Sequence, residues 1–230
     1  MIAMPESEVP ILNFVMSYSG GKDSALALYR MLSEKNTPVA LLTTINMEQK
    51  RSWFHGLQKE LLEAVSKSVG IPLITCECLP DDYEKSFEEG LLKAKGLGAT
   101  ACVFGDIDIS GHRQWNEARC MNTDMKCILP LWNENREELV VELIELGFKA
   151  LIKTIQCDML NESFLGKTLS ISLLEQIKLT GSDVCGENGE YHTFVYDGPI
   201  FQAQIPIVAK GIIDFNTHKA IDISVSNIAT

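Results

Sequence analysis

Roughly the first 130 residues alternate short apolar runs with helix-periodic segments, and few folds accommodate that alternation. Ile11–Met16 reads as a strand. Ala25, Leu28, Tyr29 and Leu32 then fall at i, i+3, i+4 and i+7, one face of a helix. Val39–Ile45 is a second apolar run. Leu57, Leu61, Ala64 and Val65 mark a second helix, stopped by Gly70 and Pro72. Leu73–Cys76 predicts a third strand. Asp81 or Asp82 is expected to cap a third helix carrying Tyr83, Phe87, Leu91 and Ala94 inward, with Gly96 and Gly98 beyond its end. Thr100–Phe104 and Lys126–Leu129 bring the strands to five. Strands separated by helices imply βαβ units, hence a doubly wound parallel five-stranded sheet of α/β, Rossmann-like class. Runs such as Val39–Leu42 are apolar without alternation, which suits strands covered on both faces. Ligands in such sheets sit beyond the carboxyl ends of the strands, so the residues just after each strand carry the information.

Beyond residue 131 the pattern loosens. Arg136–Leu146 predicts a helix ending at Gly147, Ala150–Ile155 a strand, and Leu169–Leu179 a helix before Gly181. Short strands follow, with turns at Asp197-Gly198-Pro199 and Asn216-Thr217. The expected division is 1–133 for the sheet domain and 134–230 for a smaller C-terminal α+β domain.

Composition narrows the function classes. Twenty Lys and Arg against 31 Asp and Glu give a net charge of −11, which weighs against a chain built to grip phosphate backbones. Nucleic acid is therefore not an expected partner. The apolar run Val9–Met16 follows Glu6 and Glu8 and is too short for a signal peptide, and no stretch of about 20 apolar residues predicts a membrane span. Cysteines 76, 78, 102, 120, 127, 157 and 185 form no C-x-x-C pair and no regular framework, so cytoplasm is the expected compartment. The oligomeric state is left open, a homodimer included.

The first strand runs into Ser17-Tyr18-Ser19-Gly20-Gly21-Lys22-Asp23-Ser24, just ahead of the first helix. Gly20 and Gly21 allow a tight turn with unobstructed amides, and those amides with the helix N-terminus form an anion site. Ser17, Ser19 and Ser24 add hydroxyls and Lys22 a point charge. Asp23 would repel a phosphate unless a cation lies between them, so Mg²⁺ held by Asp23 is implied. A Walker A loop requires Ser or Thr directly after Lys, where this chain has Asp23.

Gly105-Asp106-Ile107-Asp108 follows the fourth strand, and a carboxylate there can bind Mg²⁺, position a nucleophile or cap a helix. His112, Arg113, Trp115, Asn116 and Glu117 come next, with Arg113 suited to phosphate or a substrate carboxylate. Thr43 and Thr44 end the second strand. Arg51-Ser52-Trp53-Phe54-His55-Gly56 either binds ligand or staples the following helix. The second dense polar stretch is Asp183-Val184-Cys185-Gly186-Glu187-Asn188-Gly189-Glu190-Tyr191-His192-Thr193, followed by Tyr196-Asp197-Gly198-Pro199. Its glycines bring Glu187 and Glu190 close together, and such a density of polar groups beside apolar strands is costly unless hydrogen-bonded or functional.

Ser19–Ser24 resembles the SGGKDS loop of the N-type ATP pyrophosphatases, the PP-loop superfamily. That resemblance implies an adenine nucleotide alpha hydrolase-like fold and attack at the α-phosphate of ATP with release of AMP and pyrophosphate. It also implies backbone contacts from Thr43 and Thr44 to adenine. Glu187–Thr193 with its Asp197-Gly198-Pro199 turn is similar to the EGGE-x-H-T segment and D-G-P turn of the diphthine–ammonia ligase family. With Gly105–Ile107 between them, the two segments span nearly the whole chain in that family's order. The chain departs from the pattern at Asn188, where the family has glycine, a position Asn tolerates in left-handed geometry. The resemblance implies a carboxylate acceptor, in diphthamide synthesis a modified histidine on elongation factor 2, activated as an acyl-adenylate and attacked by ammonia. Lys22, Asp23, Asp106, Glu187 and Glu190 are then the expected catalytic residues. Ser17, Ser19–Ser24, Thr43, Thr44 and Gly105 are expected to hold ATP, and Arg113, Trp115, Glu187–Tyr191, His192 and Thr193 the acceptor. Glu187 and Glu190 suit a cationic substrate group or ammonium, and Trp115 and Tyr191 can add cation–π contacts.

Two rival readings use the same loop. A PP-loop tRNA-modifying or sulfur-transfer enzyme usually needs paired reactive cysteines. The one close pair, Cys76 and Cys78, is expected to split across the two faces of its strand. A nucleotide-binding module without chemistry would bind ATP and release no AMP.

Overall fold

The computed structural model describes residues 11–53 and 55–226. Phe54 and residues 9 and 10 of the first apolar run lie outside the described residues. The first sheet comprises β1 (Asn13–Ser17), β2 (Thr37–Asn46), β3 (Arg51–Ser52), β4 (Leu73–Cys78), β5 (Ala101–Val103) and β6 (Lys126–Ile128). β1 pairs in parallel with β2 on one side and β5 on the other; β4 continues the sheet beyond β2, and β6 beyond β5. These five parallel strands are the expected ones. The two-residue β3, antiparallel to the end of β2, is an addition that periodicity could not reveal. The chain winds outward from β1 through β2 to β4 and restarts beside β1 at β5. The winding therefore reverses between β1 and β5, where open α/β sheets place their ligands.

Strand alternation sorts the sheet's two faces. Phe14 and Met16 join one buried cluster, Val15 and Cys102 the other. The connecting helices are α1 (Lys22–Ser33), α2 (Lys59–Val69), α3 (Tyr83–Gly96) and α4 (Ser110–Asn122). Asp82 does occupy the N-cap of α3, behind a 3-10 turn over Pro80–Asp82, but its side chain accepts no capping bond. The polar run after Asp108 is the 13-residue α4. Cys76 and Cys78 are both buried on one face of β4, not on opposite faces, because residues two apart on a strand point the same way.

The rest of the chain forms α5 (Arg136–Glu145), β7 (Lys149–Gln156), α6 (Ile171–Leu179), β8 (Tyr191–Asp197), β9 (Ile207–Asp214) and β10 (His218–Val225). Asn135 and Ser170 cap the two helices through their side chains. The strands make an antiparallel sheet in the order β8-β7-β10-β9. Leu151, Phe194, Val195 and Ile223 of this sheet share one buried cluster with Phe14 and Met16 of the first sheet and Leu28 of α1, so the two halves have a continuous core. None of the helices among the described residues is long and apolar enough to cross a membrane.

Candidate functional site

β1 ends at Ser17 and α1 starts at Lys22, with Gly21 at its N-cap. Three glycines allow the chain to close up here. Gly20 lies at φ +87°, and a Cβ there would meet Leu57 Cδ1 at 2.4 Å; a Cβ on Gly21 would meet His55 Cε1 at 2.3 Å. A Cβ on Gly105 would meet the backbone nitrogen of Ser24 at 2.7 Å, so the segment after β5 presses directly on the loop. The loop also closes on itself: the Gly21 amide donates to Ser19 Oγ at 3.2 Å, and Ser24 Oγ donates to the Gly21 carbonyl at 3.0 Å.

The second sheet completes this loop. The Lys22 amide donates to Thr193 Oγ1 at 3.0 Å, and the Val195 amide donates to the Gly20 carbonyl at 2.9 Å. One amide expected to face a phosphate is thus satisfied by β8. Between the two halves lies a cavity of about 550 Å³, walled by the loop, by the segment from Phe104 to Asn116, and by the turn before β8.

The cavity contains a buried ion cluster. Lys22 Nζ lies 2.7 Å from Asp23 Oδ2, 3.8 Å from Glu187 Oε1 and 5.8 Å from the Tyr191 ring centroid. Burial pulls the Lys22 pKa down, but Asp23, Cys185, Tyr191 and Glu187 together outweigh it, and the ammonium is held well above its ordinary value. Burial, with Asp23 adding repulsion, pushes the Glu187 carboxyl up to about 7. Asp23, Cys185 and Glu187 offer three ligand atoms within 4.8 Å of one another. The two carboxylates suit a hard cation such as Mg²⁺ and the thiol does not. His55 and His192 line the cavity with rings 5.0 Å apart. Burial drives them down to about 3 and about 4, so both are neutral imidazoles at any physiological pH.

On the opposite wall Asp106 uses both oxygens. Oδ2 accepts Asn116 Nδ2 at 2.8 Å and Oδ1 meets His112 Nδ1 at 3.0 Å. Tyr83, Phe87 and Trp115 form a tilted aromatic patch beside it, with centroids 5.0 to 5.8 Å apart along the chain of contacts. Arg136 ties the two walls together. Its guanidinium grips Asp108 through two bonds of 2.7 Å and donates to Asp183 at 2.5 Å.

This geometry joins the glycine-rich loop after β1 to the Glu187–Thr193 segment around one cavity. The family model for the diphthamide synthase N-terminal domain matches residues 12–127, and that for its C-terminal domain matches residues 135–226. The chain belongs to the diphthamide synthase family. It is 27% identical to the diphthine–ammonia ligase of Mus musculus over 82% of this chain and 80% of that one. It is 24% identical to the human protein of the same name, over 85% and 82%. Among solved structures, a predicted subunit of tRNA methyltransferase from Methanocaldococcus jannaschii aligns with a TM-score of 0.44 and 15% identity, covering 82% of this chain and 100% of that one.

Within this member of the diphthamide synthase family several expected site residues lie elsewhere. Glu190 is buried and turned away from the cavity. It accepts the amides of Asp183 and Asn188 and the Asn188 side-chain nitrogen, each at 3.0 Å, so it orders the turn and does not pair with Glu187. Asn188 carries this bond without a positive φ; Gly186 and Gly189 provide the left-handed backbone, at +73° and +90°. Asn188 therefore replaces the family glycine without strain and faces Glu190, not the cavity. Arg113 points away, bonded to Glu117 at 2.7 Å and lying 5.2 Å from the Trp132 ring centroid. Thr43 and Thr44 open onto a smaller recess of about 40 Å³ beside the cavity, with Trp53 and Tyr83. Cys76 and Cys78 lie outside the cavity lining, and burial raises both thiols, Cys76 to about 11, which disfavours the reactive thiolate pair a sulfur-transfer enzyme would need.

Ser17, Ser19, Lys22, Asp23, Ser24, Gly105, Asp106, Trp115, Glu187, Gly189, Tyr191, His192 and Thr193 do line the cavity together. His55 of the Arg51–Gly56 segment, His112 and Asn116 of the polar cluster after Asp108, and Tyr83 of α3 join them. On α4 the i, i+4 spacing of His112 and Asn116 sets both on one face toward the cavity.

Proposed function

We propose that this chain is an ATP-dependent carboxylate–ammonia ligase that forms AMP and pyrophosphate. Its acceptor is the carboxylate of the modified histidine on elongation factor 2. The observation that carries this reading is the shared cavity: the loop of Ser19–Ser24 and the Glu187–Thr193 segment wall one space and are hydrogen-bonded through Lys22 and Thr193. Residues 1–133 serve as the ATP-binding part and 134–230 as the acceptor-binding part.

A carboxylate is a poor electrophile because its oxygen leaves badly. Attack by that oxygen on the α-phosphorus expels pyrophosphate and gives a mixed anhydride, from which AMP leaves readily when ammonia attacks the carbonyl. Lys22 and the loop hydroxyls of Ser19 and Ser24 stabilise the phosphates. Asp23, with Glu187 nearby, would hold Mg²⁺, which would neutralise charge on the phosphate oxygens. Lys22 would exchange Asp23 for phosphate when ATP enters, leaving the Asp23 carboxylate to hold a cation. Glu187 offers a carboxylate to ammonium or to a cationic group of the acceptor, and Tyr83, Phe87 and Trp115 cover the apolar part of the cavity.

Incubation with ATP, Mg²⁺, ammonium and elongation factor 2 bearing the unamidated residue should yield AMP, pyrophosphate and the amide in equal amounts. ADP and phosphate as products would sink this assignment, and ATP binding without turnover would favour a nucleotide-binding module. Lys22→Ala and Asp23→Ala should each lower turnover on the order of 100-fold or more, with the fold intact by circular dichroism.

A further inference from the structure

Ammonium is the dominant form of ammonia at neutral pH and has no lone pair, so amide formation requires a proton acceptor beside the acyl carbon. Lys22 is a bound ammonium, and His55 and His192 are held too acidic to serve. A different pair fits the task. His112 and Asp106 both line the cavity, with Nδ1 and Oδ1 3.0 Å apart. A carboxylate oxygen on Nδ1 fixes the neutral tautomer: Nδ1 carries the proton and Nε2 keeps the lone pair. Asp106 is itself fixed by Asn116, a buried residue one helical turn after His112 on α4. This carboxylate–imidazole arrangement orients a base and stabilises the imidazolium it becomes.

The surrounding charges act in one direction. The Asp106 hydrogen bond raises the basicity of His112, burial opposes it, and Asp106 and Glu187 add attraction, with the net effect upward. Arg113 is drawn off to Glu117, Glu84 on α3 is held by Arg119 and Trp115, and Asp108 is gripped by Arg136. Glu187 and Asp106 are therefore the charges that act on the imidazole.

We propose that His112 is a catalytic base that takes a proton from the ammonium substrate, with Asp106 as its positioning residue. The inference rests on the ligase reading. The N–H bond of ammonium breaks and its proton goes to Nε2. The freed lone pair forms the C–N bond, the carbonyl–oxygen bond to AMP breaks, and AMP leaves with the electron pair. His112 is more than half exposed and discharges its proton to solvent; the second proton, lost from nitrogen after attack, leaves the same way.

Hydroxylamine, neutral at pH 7, tests this because it needs no deprotonation before attack. With ATP and elongation factor 2 bearing the unamidated residue, His112→Gln should retain acceptor-dependent pyrophosphate exchange into ATP. It should lose on the order of 100-fold in ammonium-dependent kcat and hold hydroxamate formation within a few-fold of wild type. Its residual amide rate should rise with pH in step with free ammonia, and Asp106→Asn should show the same split more weakly. Equal loss with both nucleophiles, unchanged rates with both, or loss of pyrophosphate exchange in His112→Gln would each overturn the assignment. If the wild-type chain shows neither exchange nor either product, the ligase reading fails and this inference with it.

Discussion

Thr193 and Lys22 stand 171 residues apart, yet the hydroxyl of Thr193 accepts the Lys22 amide at 3.0 Å. The same threonine's carbonyl lies 2.8 Å from His55 Nδ1, and His55 packs against Gly21. The glycine-rich loop of the first half is thus shaped by a strand of the second, so on the proposed division of the site ATP and acceptor binding are mechanically linked.

Thr193→Val keeps the shape and removes the acceptor, leaving the buried Lys22 amide without a partner. The expected cost is about 1–3 kcal/mol, together with weaker ATP binding. Urea unfolding and calorimetric ATP titration check both parts. A variant with unchanged ATP affinity would show that the loop holds its shape alone.

Glu187 and Glu190 should part company on substitution. Glu190→Gln sets an NH₂ group against backbone and side-chain donors, and the turn should lose about 2–3 kcal/mol. Glu187→Gln should leave thermal stability nearly unchanged, because burial already holds its carboxyl up to about 7, and should lower amide formation. Thermal melts beside turnover assays separate the two; equal melting shifts would contradict the assigned roles.

Gly105→Ala tests how closely the two walls approach. The added methyl would sit 2.7 Å from the Ser24 nitrogen and 2.8 Å from the Asp23 carbonyl carbon, and neither backbone atom can rotate away. ATP binding should be lost while the C-terminal sheet stays folded. Near wild-type affinity would mean that the loop shifts freely.

Lys153 on β7 is 1% exposed, and its pKa is pushed down to about 8 by burial and then by Arg51, with Asp222 opposing. Its unfolded value is near 10.4. Between those limits the unfolded chain binds more protons, so stability rises with pH from about 8 to about 10.4. Lys153→Met should abolish that rise and stabilise the protein at pH 7, by on the order of 3 kcal/mol at most. Denaturant titrations at pH 7 and pH 10 are the check; a rise that persists in the variant would place its origin elsewhere.

Contiguous residues determined much of this protein. The spacing of Ala25, Leu28, Tyr29 and Leu32 is enough to specify α1, and the apolar run of β2 its burial on both faces, because each period is a property of the local backbone. Gly20 and Gly21 between a strand and a helix mark an anion loop for the same reason. Tertiary structure decided which side chains share the cavity. Glu187 and Glu190 are three residues apart, and only the turn built on Gly186 and Gly189 sends one inward and commits the other to backbone amides. Arg113 looked like a phosphate ligand until α4 set it beside Glu117 and Trp132. Thr193 capping Lys22 and Arg136 bridging Asp108 to Asp183 join residues distant in the chain. Hydrogen bonds of that kind depend on angles and distances set when the two sheets pack, and no local pattern encodes them.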